Sequence, residues 1–196
     1  MAAPVNVETF VRAETDRMFA AFAADAGGVN HLKHSRTPTP IDEQTVIRMN
    51  RDTLYSAAVV DITEGAAVTI PDAGGRYVSV MVVNQDHYVN GVLHGAGTHE
   101  LRLADHETPW VVVAARILVD PADADDVAAV NELQDGLALE ASSSKPFVSP
   151  DYDAASLDAT RSALLELARG LSGFDRTFGT RSEVDPIRHL IGTAAG

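Results

Sequence analysis

Two stretches of this chain are apolar on both of the faces that an extended backbone presents. From Arg76 to Asn84 the alternation places Val78, Val80 and Val82 on one side and Tyr77, Ser79, Met81 and Val83 on the other. Trp110 to Val119 is a second run of this kind, long enough to be a central strand despite Arg116. A sheet with one wet face alternates apolar with polar side chains, so these runs call for cover on both sides, by another sheet and by helices. The material for that cover exists: 196 residues, 45% of them hydrophobic, suffice for one substantial core, and a single domain, 1–196, is expected.

The flanking segments carry the turn chemistry that an antiparallel unit requires. Thr53 to Asp61 reads as a strand, Thr63-Glu64-Gly65 as a turn and Ala66 to Ile70 as the returning strand, stopped by Pro71 to Gly75. Tyr88 to Leu93 and His99 to Leu103 read as short strands around Gly95-Ala96-Gly97. Before them, Val7, Phe10, Val11, Met18, Ala21 and Phe22 mark a helix over 5–24, with Asn6 as its N-cap and Gly27-Gly28 at its end. Asn30 to Pro40 reads as an extended connector carrying His31 and His34, three apart: a weakly specified metal pair, or two exposed loop histidines.

After Asp120-Pro121 a helix is expected with Val127, Val130, Leu133 and Leu137 inward, ending near Ala141. Ser142 to Pro146 reads as a mobile linker, Ser156 to Leu171 as the next helix, and Asp185-Pro186 opens the last. The expected class is therefore α+β, an antiparallel β-sandwich or jelly-roll-like sheet unit over about 50–120 packed with N-terminal and C-terminal helices. The parts are the helix 5–24, a β-rich core 48–119 and a helical part 120–196.

Charge and composition exclude several functions. Lys plus Arg number 15 against 28 Asp plus Glu, a formal charge of −13, which repels nucleic acid and anionic membrane surfaces. The absence of cysteine removes disulfides, thiolate nucleophiles and iron–sulfur ligation, and fits a cytoplasmic, reducing location. Met1 to Val11 has no secretory pattern, and no apolar run approaches the roughly 20 residues of a membrane span, so the chain reads as soluble. Nucleophile-elbow, phosphate-loop, dinucleotide and His-Glu-x-x-His motifs are all missing.

What remains is the stretch from Arg48 to Gly97, where polar side chains are densest among Val, Ile and Met. Asp52 and His87 are the candidate catalytic residues, since a carboxylate and an imidazole are the groups that move protons near neutrality. Asn50, Arg51, Tyr55, Arg76, Tyr77, Tyr88, Arg188 and His189 are the candidate substrate-binding residues, with Arg51 holding an anion. Each has a structural alternative: an arginine–carboxylate fork locks backbone as readily as it holds a substrate. No cofactor is expected, with a metal ion on His87, His94 and His99 as the candidate exception, although their spacing matches no ligand pattern. Two functions stay open. One is a small-molecule enzyme with acid–base residues around a pocket at the sheet end; the other is a non-catalytic ligand-binding or oligomeric assembly module. Exposed sheet edges make a homo-oligomer the expected state.

Asn50 to Ser56, Asp61, Pro71-Asp72 with Gly75-Arg76-Tyr77, and above all Phe178 to Gly196 resemble a bacterial family catalogued as domain of unknown function twelve-fifty-four. The resemblance runs from about Arg48 to the end. It implies a β-rich sandwich or jelly-roll-like unit with helices, and no established reaction. Longer members continue past the Gly-Thr-Ala segment into Trp-Gly-Gly and a second β domain, so a short member or a trimmed chain is expected.

Overall fold

In the computed structural model, which describes residues 2–39 and 50–195, the run Trp110–Leu118 (β7) is the middle strand of a five-stranded sheet. Thr53–Asp61 (β2) and Val78–Asn84 (β4) flank it over nine and seven register pairs respectively, and Lys33–His34 (β1) and Val89–Leu93 (β5) close the two edges, all antiparallel. Gly97–Leu101 (β6), Ala66–Ile70 (β3) and Ala138–Ala141 (β8) form a second, antiparallel sheet in that order. The chain leaves one sheet for the other at Gly95 and Gly97, whose φ of 82° and 127° are open to glycine and strained for other residues.

The two-sided apolar pattern has the cover it calls for. Leu54, Ala58 and Val60 of β2, with Val80 and Val82 of β4 and Val113 and Ile117 of β7, pack against Val68, Ile70 and Leu101 of the small sheet. Val130 of the helix Ala124–Asp135 (α3) completes that layer. On the opposite face, Val59 and Val112 meet Phe19 of the helix Phe10–Ala26 (α1). The helices Ala154–Ala168 (α4) and Pro186–Ala195 (α5) then pack on α1 through Leu157, Leu164, Ile191 and Ala194 against Phe10 and Ala13. A short helix, Leu103–His106 (α2), turns the chain from β6 into β7.

Four of the boundaries that differ from the sequence reading do so for a clear local reason. Asn6 accepts hydrogen bonds from the amides of Glu8 and Thr9 at 2.9 and 3.2 Å, so it closes a turn and α1 begins only at Phe10. Asp120 likewise closes a turn on Ala122, and the N-cap of α3 is Asp123, which accepts from the amides of Asp125 and Asp126. The helix expected to run on to Ala141 stops at Gly136, because 138–141 pair with β3 as β8. Ser142 to Pro146, expected as a mobile linker, is pinned. The Asp61 carboxylate accepts from the Lys145 amide at 2.7 Å, and the Asn30 side chain donates to the Ser143 carbonyl at 2.8 Å.

α3 is tied to the large sheet by one buried side chain. Gln134 is fully buried and its Nε2 lies 3.0–3.2 Å from the carbonyls of Ser35 and Tyr55 and the Ser56 hydroxyl. Gln134→Ala removes this donor, although the Tyr55 carbonyl keeps the Ser35 amide and the Ser56 hydroxyl keeps His34, and chemical denaturation should record a loss of about 1–2 kcal/mol with an unchanged m-value.

Candidate functional site

The expected site residues fall at opposite ends of the large sheet. The pairs Thr53↔Leu118 and Val78↔Ile117 define one end, which carries Asn50, Arg51, Asp52, Arg76 and Tyr77. Asp61↔Trp110 and Asn84↔Val111 define the other, which carries His87 and Tyr88. Six residue steps of β4 separate them, about 20 Å at strand rise. The single pocket joining Asp52, Tyr77 and His87 therefore does not form. A register reverses direction at every antiparallel turn, and one strand length of sequence is enough to carry a side chain to the far end. Arg48 and Met49, which open the expected stretch, lie outside the described residues.

At the first end several candidates are occupied in holding the fold. Arg76 donates to both carboxylate oxygens of Asp126 and to the Leu118 carbonyl at 2.8 Å. The Arg76 hydrogen bonds, with the Asp120 amide, pull the Asp126 carboxyl down to about 2. Asn50 closes a turn on the Asp52 amide at 2.7 Å, and both side chains face solvent. Arg51 is half-buried and, among the described residues, pairs with no carboxylate. Tyr77 is half-exposed against the His94 ring, 6.0 Å between centroids. Arg188 is likewise committed, its Nη1 donating to the carbonyls of Gly173 and Asp175 and to the Asp175 carboxylate at 2.8–3.1 Å.

The histidine set does not meet. His94 contacts the Val78 carbonyl and His99 the Gly95 carbonyl, both remote from His87, and among the described residues no three His, Asp or Glu side chains converge as a metal site.

Tyr55 leads to a hollow that the sequence reading missed. Odd-numbered residues of β2 face the helical layer, and there Ala57 sits directly opposite Ala114 of β7. Two methyl side chains at the point where α1 runs out leave a space of about 270 Å³ beneath Phe22. Among the described residues its walls include Asp25, Lys33, Ser35, Asn50, Thr53 and Tyr55. The Thr53 hydroxyl is buried beside it, with no hydrogen-bond partner among the described residues. The Arg116 guanidinium lies 5.3 Å from the centre of the Tyr55 ring, stiffening that wall by a cation–π contact. Asp25 and Lys33 pair at 3.4 Å on the rim, where both remain solvent-exposed.

The second end gathers His87, Tyr88 and His189 of the expected set. Asn84 shapes the turn: its Oδ1 accepts from the amides of Asp86 and Tyr88 at 3.0 Å, and its Nδ2 donates to the His106 carbonyl. Gln85 donates to the buried Asp16 of α1 at 2.9 Å, and Arg12 of α1 donates to the Asp86 carboxylate through Nε and Nη2. So fastened, His87 adopts a left-handed conformation, φ 62°, which few side chains accept. Tyr88 stacks on His189 with centroids 4.6 Å apart and planes 8° from parallel, and the Arg181 guanidinium covers its other face at 4.6 Å. His189 itself lies between the carbonyls of Thr177 and Asp86, which places it in the frame of the turn.

Residues 29–100 match the family model described as a protein of unknown function (DUF1254). The match spans 72 of the 196 residues, less than half of the chain. The DUF1254 segment contains β1 to β5, hence most of the hollow and the turn with His87, while α1 and α5 lie outside it. The crystal structure of the VPA0106 protein from Vibrio parahaemolyticus is similar to this chain at 16% identity and a TM-score of 0.67, covering 98% of this chain and 67% of that one. At that identity the likeness is one of fold. No curated protein matches. No described helix is long and apolar enough to cross a membrane.

Proposed function

We propose that this chain binds a small, uncharged, largely apolar molecule in the hollow over Ala57 and Ala114. The observation that carries the reading is the space itself, left where two alanines face each other across β2 and β7 beside the end of α1. The volume, about 270 Å³, is at the low end for small-molecule sites. The chain's net charge of −13 disfavours an anionic ligand. Binding by shape needs no acid–base residue at this end of the sheet, so the function is that of a ligand-binding module.

Ala114→Val tests it. The added methyls project into the hollow from a strand, where valine is at home, so the melting temperature should hold or rise. Benzyl alcohol, the probe, should bind the wild-type chain measurably in calorimetry and bind the variant at least tenfold more weakly, with benzoate binding neither. Equal binding of benzyl alcohol to both chains would remove the hollow from consideration.

A further inference from the structure

The turn that carries His87 has a consequence independent of the hollow. His87 lines a separate crevice of about 230 Å³ between α1 and α5, with Glu14, Arg17, Met18, Ala21 and Thr193 as the other walls. The Thr15 hydroxyl donates to the Val11 carbonyl at 2.7 Å, which uses its only hydrogen. With that hydrogen on the Val11 carbonyl, the 3.0 Å contact with His87 Nδ1 assigns the proton to Nδ1. In this tautomer Nε2 carries a lone pair that no described side chain or carbonyl engages.

We propose that this crevice is a second ligand site, in which His87 Nε2 accepts a hydrogen from the O–H or N–H group of an uncharged molecule. Charge selects against ions. Arg17 donates to Glu14 at 2.6 Å, so the wall is already neutralised, and a carboxylate ligand would meet both the Glu14 carboxylate and the Nε2 lone pair. Met18 and Ala21 offer the apolar contact that the body of such a molecule needs. The left-handed φ of His87 and the fastening of its turn to α1 through Asp16 and Arg12 hold the acceptor in place. The charged or titratable groups facing it are His189 of α5, at 6.2 Å between ring centroids, and Glu14 and Arg17 of α1. Burial, with His189 as a second cause, brings the His87 imidazole down to about 4, so the acceptor persists through neutral pH.

Carbethoxylation by diethyl pyrocarbonate, read by peptide mass spectrometry, measures this directly, because the reagent bonds to an unprotonated imidazole nitrogen. From pH 7 to pH 5 a histidine of ordinary pKa should slow about 25-fold, whereas His87 should hold its rate within about twofold. Propionamide, an N–H donor, should slow labelling of His87, propionate should not, and Ala21→Trp, which plugs the crevice from an exposed helix position, should block it. If His87 goes unlabelled at both pH values, or labels equally fast with propionamide or in the Ala21→Trp chain, the proposed site is wrong.

Discussion

Lowering the pH from 6.5 to 4 will cost the folded protein about 3 kcal/mol through His87 alone, and His87→Asn will abolish that part of the loss. Above the ordinary imidazole value His87 is neutral in both the folded and unfolded chains and contributes no pH dependence. Between 6.5 and about 4 the unfolded chain takes up a proton that the folded chain, with this ring buried, refuses. Unfolding therefore binds protons across that window, and stability falls as pH falls. His34 and His106, both lowered chiefly by burial, act in the same direction, so a residual slope survives in the variant. Asparagine is the replacement because it tolerates the left-handed backbone at this position better than alanine does. Urea denaturation at half-unit pH steps, on both chains, measures the difference. Parallel curves for wild type and variant would mean that the ring is protonated in the fold.

The second large effect lies on α5. A Cβ at Gly192 would fall 2.0 Å from Cγ2 of the buried Thr177, a distance that real carbon atoms do not reach. Overpacking costs up to about 3 kcal/mol, and the better helix propensity of alanine returns about 1, so Gly192→Ala should lose about 2 kcal/mol. The sign should change in a second background. Thr177→Ser deletes Cγ2, and there Gly192→Ala should be neutral or stabilising by about 1 kcal/mol. A double-mutant cycle by thermal denaturation, with no coupling between the two positions, would place α5 elsewhere. The register matters to the crevice, since α5 brings both His189 and Thr193 to the turn of His87.

Much of the fold was legible in the sequence because local chemistry and burial agreed. Thr53–Asp61 and Ala66–Ile70 lie where alternation and turn residues put them, and Asp185-Pro186 opens α5 as expected, with Asp185 accepting from the Ile187 and Arg188 amides. β8 was not legible: Leu137 to Ala141 continues the helical spacing of α3, and only pairing with β3, a partner some seventy residues away, makes it a strand. The candidate site fared differently. His87, Tyr88 and His189 were found and do meet, since aromatic and titratable side chains attract attention. Thr15, which assigns the His87 tautomer, and Ala57 and Ala114, which make the hollow by being small, carry no such signal. Their effect depends on what they face. The period-two pattern of β2 places Thr53, Tyr55 and Ala57 on one side, but which helix covers them, and where it stops, is a tertiary fact.

The claim on which the functional account depends is that the hollow at the α1 end of the sheet takes a ligand. Alanine methyl-labelled protein with benzyl alcohol tests it most directly, through intermolecular nuclear Overhauser effects. The account predicts effects from the aromatic ring to the methyls of Ala57 and Ala114, lost on Ala114→Val while the remaining alanine methyls keep their shifts. Effects confined to other alanines, or none at saturating benzyl alcohol, would contradict it.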